Sequence, residues 1–110
     1  MANAFKNKTH ASIGTTLTKI EAYDCPGSTE TTIIGLTIAN RAAAVIEVDV
    51  LLNDGSNDFY VVKNAPVPVG GALVVVGGDQ KLVMMPGDNI KVKSDTASSA
   101  DVIMSILEIT

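Results

Sequence analysis

Tryptophan is absent from this 110-residue chain, and the aromatic side chains are few: Phe5, Phe59, Tyr23 and Tyr60. A core here has to be filled with aliphatic side chains, and a sugar-stacking surface has only the two tyrosines to draw on. Cys25 is the sole cysteine and His10 the sole histidine. One thiol excludes an internal disulfide and any multi-cysteine metal site, and it suits assembly in a reducing compartment. One histidine builds no zinc site without carboxylate or thiolate partners at suitable spacing. Positive charge is thin as well: 8 Lys and Arg against 12 Asp and Glu give a net charge of −4, with no basic cluster, which argues against nucleic acid as partner. No apolar run approaches the roughly 20 residues a membrane helix needs, and the start, Met-Ala-Asn-Ala-Phe-Lys, lacks the apolar stretch of a signal peptide. A soluble protein is expected.

What the chain does have is β-branched aliphatics punctuated by turn residues. At 46% apolar composition a single domain of this length can bury a core. From Phe59 to Ser94 short apolar runs are broken by Ala65-Pro66-Val67-Pro68, Gly70-Gly71, Gly77-Gly78-Asp79 and Pro86-Gly87-Asp88. Proline removes a ladder donor and glycine supplies the positive φ of tight turns, so these breaks separate strands. Upstream, Thr31–Asn40 reads as a strand with Ile34, Leu36 and Ile38 on one face and Ile33, Gly35 and Thr37 on the other. Ile46, Val48, Val50 and Leu52 alternate with Glu47 and Asp49, the pattern of a strand with one face in the core and one in water. The turn cluster Asn53–Asn57, with Asp54-Gly55, signals a hairpin. Thr15–Tyr23, Ile90–Ser94 and Asp101–Ile109 complete eight or nine strands, the last preferred over a helix because of its β-branched residues. The expected fold is all-β: one antiparallel β-sandwich over residues 13–110, jelly-roll-like, with residues 1–12 as an N-terminal arm or edge strand.

Two strands are apolar on both faces. Val74 and Val76 oppose Leu73 and Val75, and Val102, Met104 and Ile106 oppose Ile103, Leu107 and Ile109. A two-layer sandwich buries one face of each sheet, so a doubly apolar strand points to a covered second face, most simply by another subunit. Interface packing is assigned to Val102, Met104 and Ile106, and docking of the arm to Phe5.

No group of residues assembles an enzyme site. His10 has no partner in sequence, and Cys25 precedes Pro26 in a turn with no histidine near it. Asp54, Asn57 and Asp58 surround Gly55 but lack the twelve-residue spacing and closing glutamate of a calcium loop, so a plain turn is the better reading. Gly77-Gly78-Asp79-Gln80-Lys81 lacks the Gly-Lys-Ser/Thr ending of a phosphate loop. Glu47 and Asp49 share a strand face, which a solvated surface explains. Neither a catalytic set, a metal site, a cofactor nor a small-molecule substrate is expected.

Five segments in order, Thr31-Thr-Ile-Ile-Gly-Leu-Thr-Ile-Ala-Asn40, Tyr60-Val-Val-Lys-Asn-Ala-Pro-Val-Pro68, Gly77-Gly-Asp-Gln-Lys-Leu-Val83, Pro86-Gly-Asp-Asn-Ile-Lys-Val92 and Ser105-Ile-Leu-Glu-Ile-Thr110, resemble those of small β-sandwich virion proteins of tailed bacteriophages, marine and cyanobacterial phages especially. The resemblance runs from about Ile13 to Thr110; Cys25-Pro26-Gly27-Ser28 departs from the Pro-Ala-Gly-like turn expected there. It implies a non-enzymatic structural role on the particle, at head, neck or tail, with copies of the same chain and larger virion proteins as partners and assembly in the host cytoplasm. The alternative from the residues is a carbohydrate- or receptor-binding sandwich, which needs Tyr23 and Tyr60 exposed on one surface.

Overall fold

The computed structural model describes residues 3–77 and 80–110. They form nine strands in two antiparallel sheets: β1 (Asn3–Ile13), β2 (Thr18–Lys19), β3 (Glu30–Asn40), β4 (Ile46–Asn53), β5 (Asp58–Val67), β6 (Ala72–Val76), β7 (Leu82–Met84), β8 (Asn89–Ser94) and β9 (Ala100–Ile109). The first sheet has the order β1-β9-β3-β6, with β7 also on β3, and the second β2-β8-β4-β5. Early strands thus pair with late ones in reverse order: β1 with β9, β2 with β8, β3 with β6 and β7, β4 with β5. The chain is a long two-stranded ribbon with its tip at the β4–β5 hairpin. Winding the ribbon on itself brings β3 beside β9 and β4 beside β8, which gives the jelly-roll sandwich expected from the sequence.

The core lies between the sheets and is aliphatic, as the shortage of aromatics requires. Ile33, Leu36, Ile38, Val102, Met104 and Ile106 from the first sheet meet Ile46, Val48, Val50, Val67, Ile90 and Val92 from the second, every one of them at most 1% exposed. At roughly 1.5–3 kcal/mol per fully buried side chain, this layer is the main stabilising term. Asn40 pins one end of the sandwich. Its side-chain amide donates to the carbonyls of Ala44 (2.9 Å) and Val67 (3.0 Å), and its carbonyl oxygen accepts the Ala42 amide at 2.7 Å. At the other end the Pro86-Gly87-Asp88 turn, with Gly87 at φ 90, is tied to Cys25: Gly87 N–H donates to the Cys25 carbonyl (2.9 Å) and Cys25 N–H to that of Asp88 (2.8 Å).

Three local expectations are corrected. In β3 the register shifts between Ile33 and Gly35, so Ile34 is the extra residue and Ile33, not Ile34, shares the inner face with Leu36 and Ile38. A second shift opposite β6 separates Val76, 1% exposed, from Val74, 63% exposed, although the two share parity. Thr15–Tyr23 gives only the two-residue β2, because Glu21 (φ 50) and Ala22 (φ 54) turn the chain into a 3₁₀ turn over Ile20–Ala22. Pro66 lies within β5, which is tolerated because β5 is the edge of its sheet and the chain bulges at Asn64 (φ 53). Among the described residues no helix is long and apolar enough to cross a membrane.

Candidate functional site

The two outer faces of the sandwich differ in kind. On the second sheet the outward rows carry charge: Lys19 of β2 lies beside Lys91, whose other neighbour Leu51 of β4 is apolar and 0% exposed, and Asp49 pairs with Lys93. Tyr60 lies beside Leu51, and the Lys63 ammonium sits 4.6 Å from the Tyr60 ring centroid. Asp49, expected in water, is 6% exposed instead; its Oδ1 accepts the Asn64 amide at 2.7 Å, so the β5 bulge folds over it. Its strand neighbour Glu47 is exposed, so the two carboxylates do not form a matched pair.

The outward face of the first sheet carries no charge across its centre. One row runs Phe5, Leu107, Thr32, Val83 across β1, β9, β3 and β7. Four residues along, about 13 Å at strand rise, a parallel row runs Thr9, Ile103, Thr37, Val74. Between them lie Asn7, Ser105 and Gly35. Phe5 is 76%, Val74 63%, Ile103 55% and Val83 52% exposed. Phe5, Asn7, Ile34 and Ser105 also rim a shallow depression of about 360 Å³. This uncharged apolar and threonine-lined surface runs across β1, β9, β3, β6 and β7, and large patches of that kind are uncommon on monomeric proteins.

The structure places the assigned interface residues differently. Phe5 is on this face, exposed, and belongs to β1, which is docked on β9 of its own chain. Val102, Met104 and Ile106 are 0–1% exposed and face the second sheet, so they pack the core and present nothing to a neighbour. The outward row of β9 is the alternate set, Ile103, Ser105 and Leu107.

A buried polar network closes the β1 end of the sandwich. Tyr23 Oη donates to Glu108 Oε2 at 2.6 Å and lies 2.9 Å from Thr31 Oγ1, while Lys6 Nζ reaches Glu108 Oε1 at 2.8 Å. Cys25 Sγ lies 3.2 Å from the same threonine hydroxyl and 3.4 Å from the Thr29 carbonyl oxygen, which satisfies the thiol in place. Burial, and then the bond to the Glu108 carboxylate, raises the Tyr23 pKa well above the ordinary tyrosine range. Hydrogen bonds from Lys6 and Tyr23 hold the Glu108 carboxyl below its usual value against the opposing effect of burial. A depressed carboxyl contributes stability that is fully present above its unfolded pKa of about 4.3 and is lost as pH falls through the lower folded value. Glu108→Gln is therefore expected to destabilise the fold by roughly 1–3 kcal/mol at pH 7, with the difference from the unsubstituted chain shrinking below about pH 4. Urea unfolding across pH 3–7 (order-of-magnitude range of carboxyl titration) checks this.

The remaining candidates resolve as structure. His10 Nδ1 accepts the Glu21 amide at 3.1 Å. In the β4–β5 turn Asp54 Oδ1 accepts the amides of Asn57 (2.7 Å) and Ser56 (2.9 Å), which lower its pKa, and Asp58 Oδ1 accepts from Asn53 Nδ2. This is the hydrogen bonding of a closed turn. Of the glycine-rich loop 77–81, Gly78 and Asp79 lie outside the described residues. Among the described residues no group of three or more His, Cys, Asp or Glu side chains is placed to hold a metal ion. Tyr23 is 9% exposed, so Tyr60, at 51%, is the one tyrosine a ligand ring can reach. No family model matches the chain, and no curated protein matches it.

Proposed function

We propose that this chain is a non-enzymatic structural protein of a tailed-bacteriophage particle. In this reading it is a jelly-roll module that associates with copies of itself and with larger virion proteins through the outer face of its first sheet. One observation carries it: the rows Phe5-Leu107-Thr32-Val83 and Thr9-Ile103-Thr37-Val74 are uncharged and, with Leu107, Thr32 and Thr37 half-buried, otherwise exposed, while the outer face of the second sheet carries lysines and carboxylates. A surface made to stay in water is patterned like the second sheet. The first sheet is patterned for contact with another protein.

The jelly roll is a fold of many capsid and lectin domains, which agrees with the proposal without deciding it. The segments that carry the resemblance to phage proteins fall on β3, on β5, on the turn into β8 and on the end of β9, and the fifth, residues 77–83, reaches β7 with Gly78 and Asp79 outside the described residues. They therefore run through both sheets rather than one loop. The carbohydrate-binding alternative requires two exposed tyrosines on one surface, and the burial of Tyr23 counts against it. The expected location is the virion, after assembly in the host cytoplasm, as a capsid decoration or a neck or tail component.

The test is gold-conjugated antibody against this chain applied to tailed particles purified from the source culture and viewed by electron microscopy. Gold at a repeated position on head, neck or tail is the expected result. Purified particles that carry no gold, and whose peptides by mass spectrometry include none from this chain, would refute the assignment.

A further inference from the structure

β1, like β5 at the edge of the other sheet, is a long strand that buries almost nothing. Of its eleven residues only Ile13, at the hinge end, is fully buried, whereas β9 buries five of ten: Ala100, Val102, Met104, Ile106 and Glu108. What keeps β1 in place is its backbone ladder to β9 and a series of polar tethers. Lys6 reaches Glu108 at 2.8 Å, Lys8 sits 5.1 Å from the Tyr23 ring centroid, and Thr9 N–H donates to Glu21 Oε2 at 2.8 Å. Ser12 N–H donates to Asp101 Oδ1 at 3.0 Å, and Arg41 donates to Ser12 Oγ at 2.6 Å. Apart from the bond to Glu108 these tethers are exposed, where water can replace them at small net cost, and lifting residues 3–12 gives up little apolar burial by β1 itself.

We infer that β1 exchanges between copies of the chain: it leaves its own β9 and pairs, in the same register, with β9 of a second copy. Three features point to a second copy as the occupant. With β1 lifted, β9 becomes a sheet edge with a row of unpaired amides and carbonyls and a partly uncovered inner row. The strand that fits this edge, with a lysine for Glu108, an amide for Glu21 and a serine for Asp101 in register, is β1 itself. The hinge is also in place. Ser12 is held at φ 59 where the β1 register breaks between His10 and Ile13, and Gly14 follows, with no strand again until Thr18. Extending Ser12 to reach a neighbour removes that unfavourable conformation.

A consequence separates this from simple loosening. The contacts in the exchanged dimer are the contacts of the closed chain, so the tethers cancel from the equilibrium and set only the rate of exchange. Hinge and protein concentration set how much dimer forms.

The experiment places cysteines at the register partners Asn7 and Ser105, with Cys25→Ser, in a chain that also carries Val74→Lys and Ile103→Lys. The lysines remove stacking of the outer faces, so any covalent dimer reports β1 exchange alone. After incubation and oxidation, non-reducing gels should show an intrachain disulfide at low concentration and an interchain dimer that grows with concentration and time. Lys6→Ala or Glu21→Ala should speed its appearance about 3- to 10-fold with the final fraction unchanged. Intrachain disulfide alone at every concentration would overturn the inference, as would equal dimer from Asn7→Cys without its partner. If the added cysteines prevent folding, isotopically labelled and unlabelled Val74→Lys/Ile103→Lys chains are mixed and followed by native mass spectrometry. Slowly formed mixed dimers support exchange, and none at high concentration refutes it. Because outer-face association is read from the chain without the lysines, either idea can fail without the other.

Discussion

Ile106→Ala is expected to lower the unfolding free energy by about 2–5 kcal/mol, while Ile103→Ala, three positions away on the same strand, lowers it by less than about 1 kcal/mol. Both are isoleucines of β9. Ile106 is 0% exposed and lies between Ile33 of β3 and Lys6 of β1 in the ladder, facing the second sheet, so truncation leaves a cavity in a close-packed layer. Ile103 is 55% exposed on the outer face, where the truncated methyls are already half in water. Guanidinium unfolding of the two variants checks the pair. Comparable losses would mean that the outer face is covered in the folded chain itself and that the two-face description of β9 is wrong.

Val74→Lys together with Ile103→Lys is expected to weaken self-association at least 100-fold and to leave the unfolding midpoint nearly unchanged. The two side chains are 63% and 55% exposed and flank Thr37 in the row Thr9-Ile103-Thr37-Val74, so lysines there extend into solvent in the single chain. In a stacked pair they would bring ammonium groups of both copies into an apolar contact, which charges enter only at a large desolvation cost. The same pair of lysines on the second sheet's outer face, already lined by Lys91 and Lys93, would change nothing comparable. Sedimentation velocity on both proteins measures the difference.

The strands and their faces were largely legible where one face is polar. Ile46, Val48, Val50 against Glu47, and Ile90, Val92 against Lys91, Lys93, read correctly because a one-residue slip would bury a charge. β9 was different. Its two rows are both apolar, so the alternation does not say which one faces the core, and Val102, Met104 and Ile106, assigned to an interface as part of a doubly apolar strand, pack the core instead. Glu108 is tolerated inside because Lys6 of β1 and Tyr23 reach it from the open end of the sandwich. Those partners are 102 and 85 positions away in the chain, so no local pattern reveals them. The β3 bulge had a local mark in Gly35, since glycine inside a strand run signals a bulge or a close approach, while the one before Val76 was hidden because an extra residue in an apolar run leaves no polar mark. That β9 is apolar on both faces was legible in the sequence. That the uncharged outer face spans five strands became visible only once β1, β3, β6 and β7 were seen in register beside β9.

The central claim is that the uncharged outer face of the first sheet is where this protein meets its neighbours. Light scattering over a concentration series, with the unsubstituted chain and the Val74→Lys/Ile103→Lys chain side by side, tests it most directly. On fresh samples, before slow β1 exchange builds up, the account predicts a mass that rises with concentration to a multiple of 11.4 kDa for the first and stays at 11.4 kDa for the second. Two chains that both remain monomeric throughout, or that assemble equally well, would contradict it.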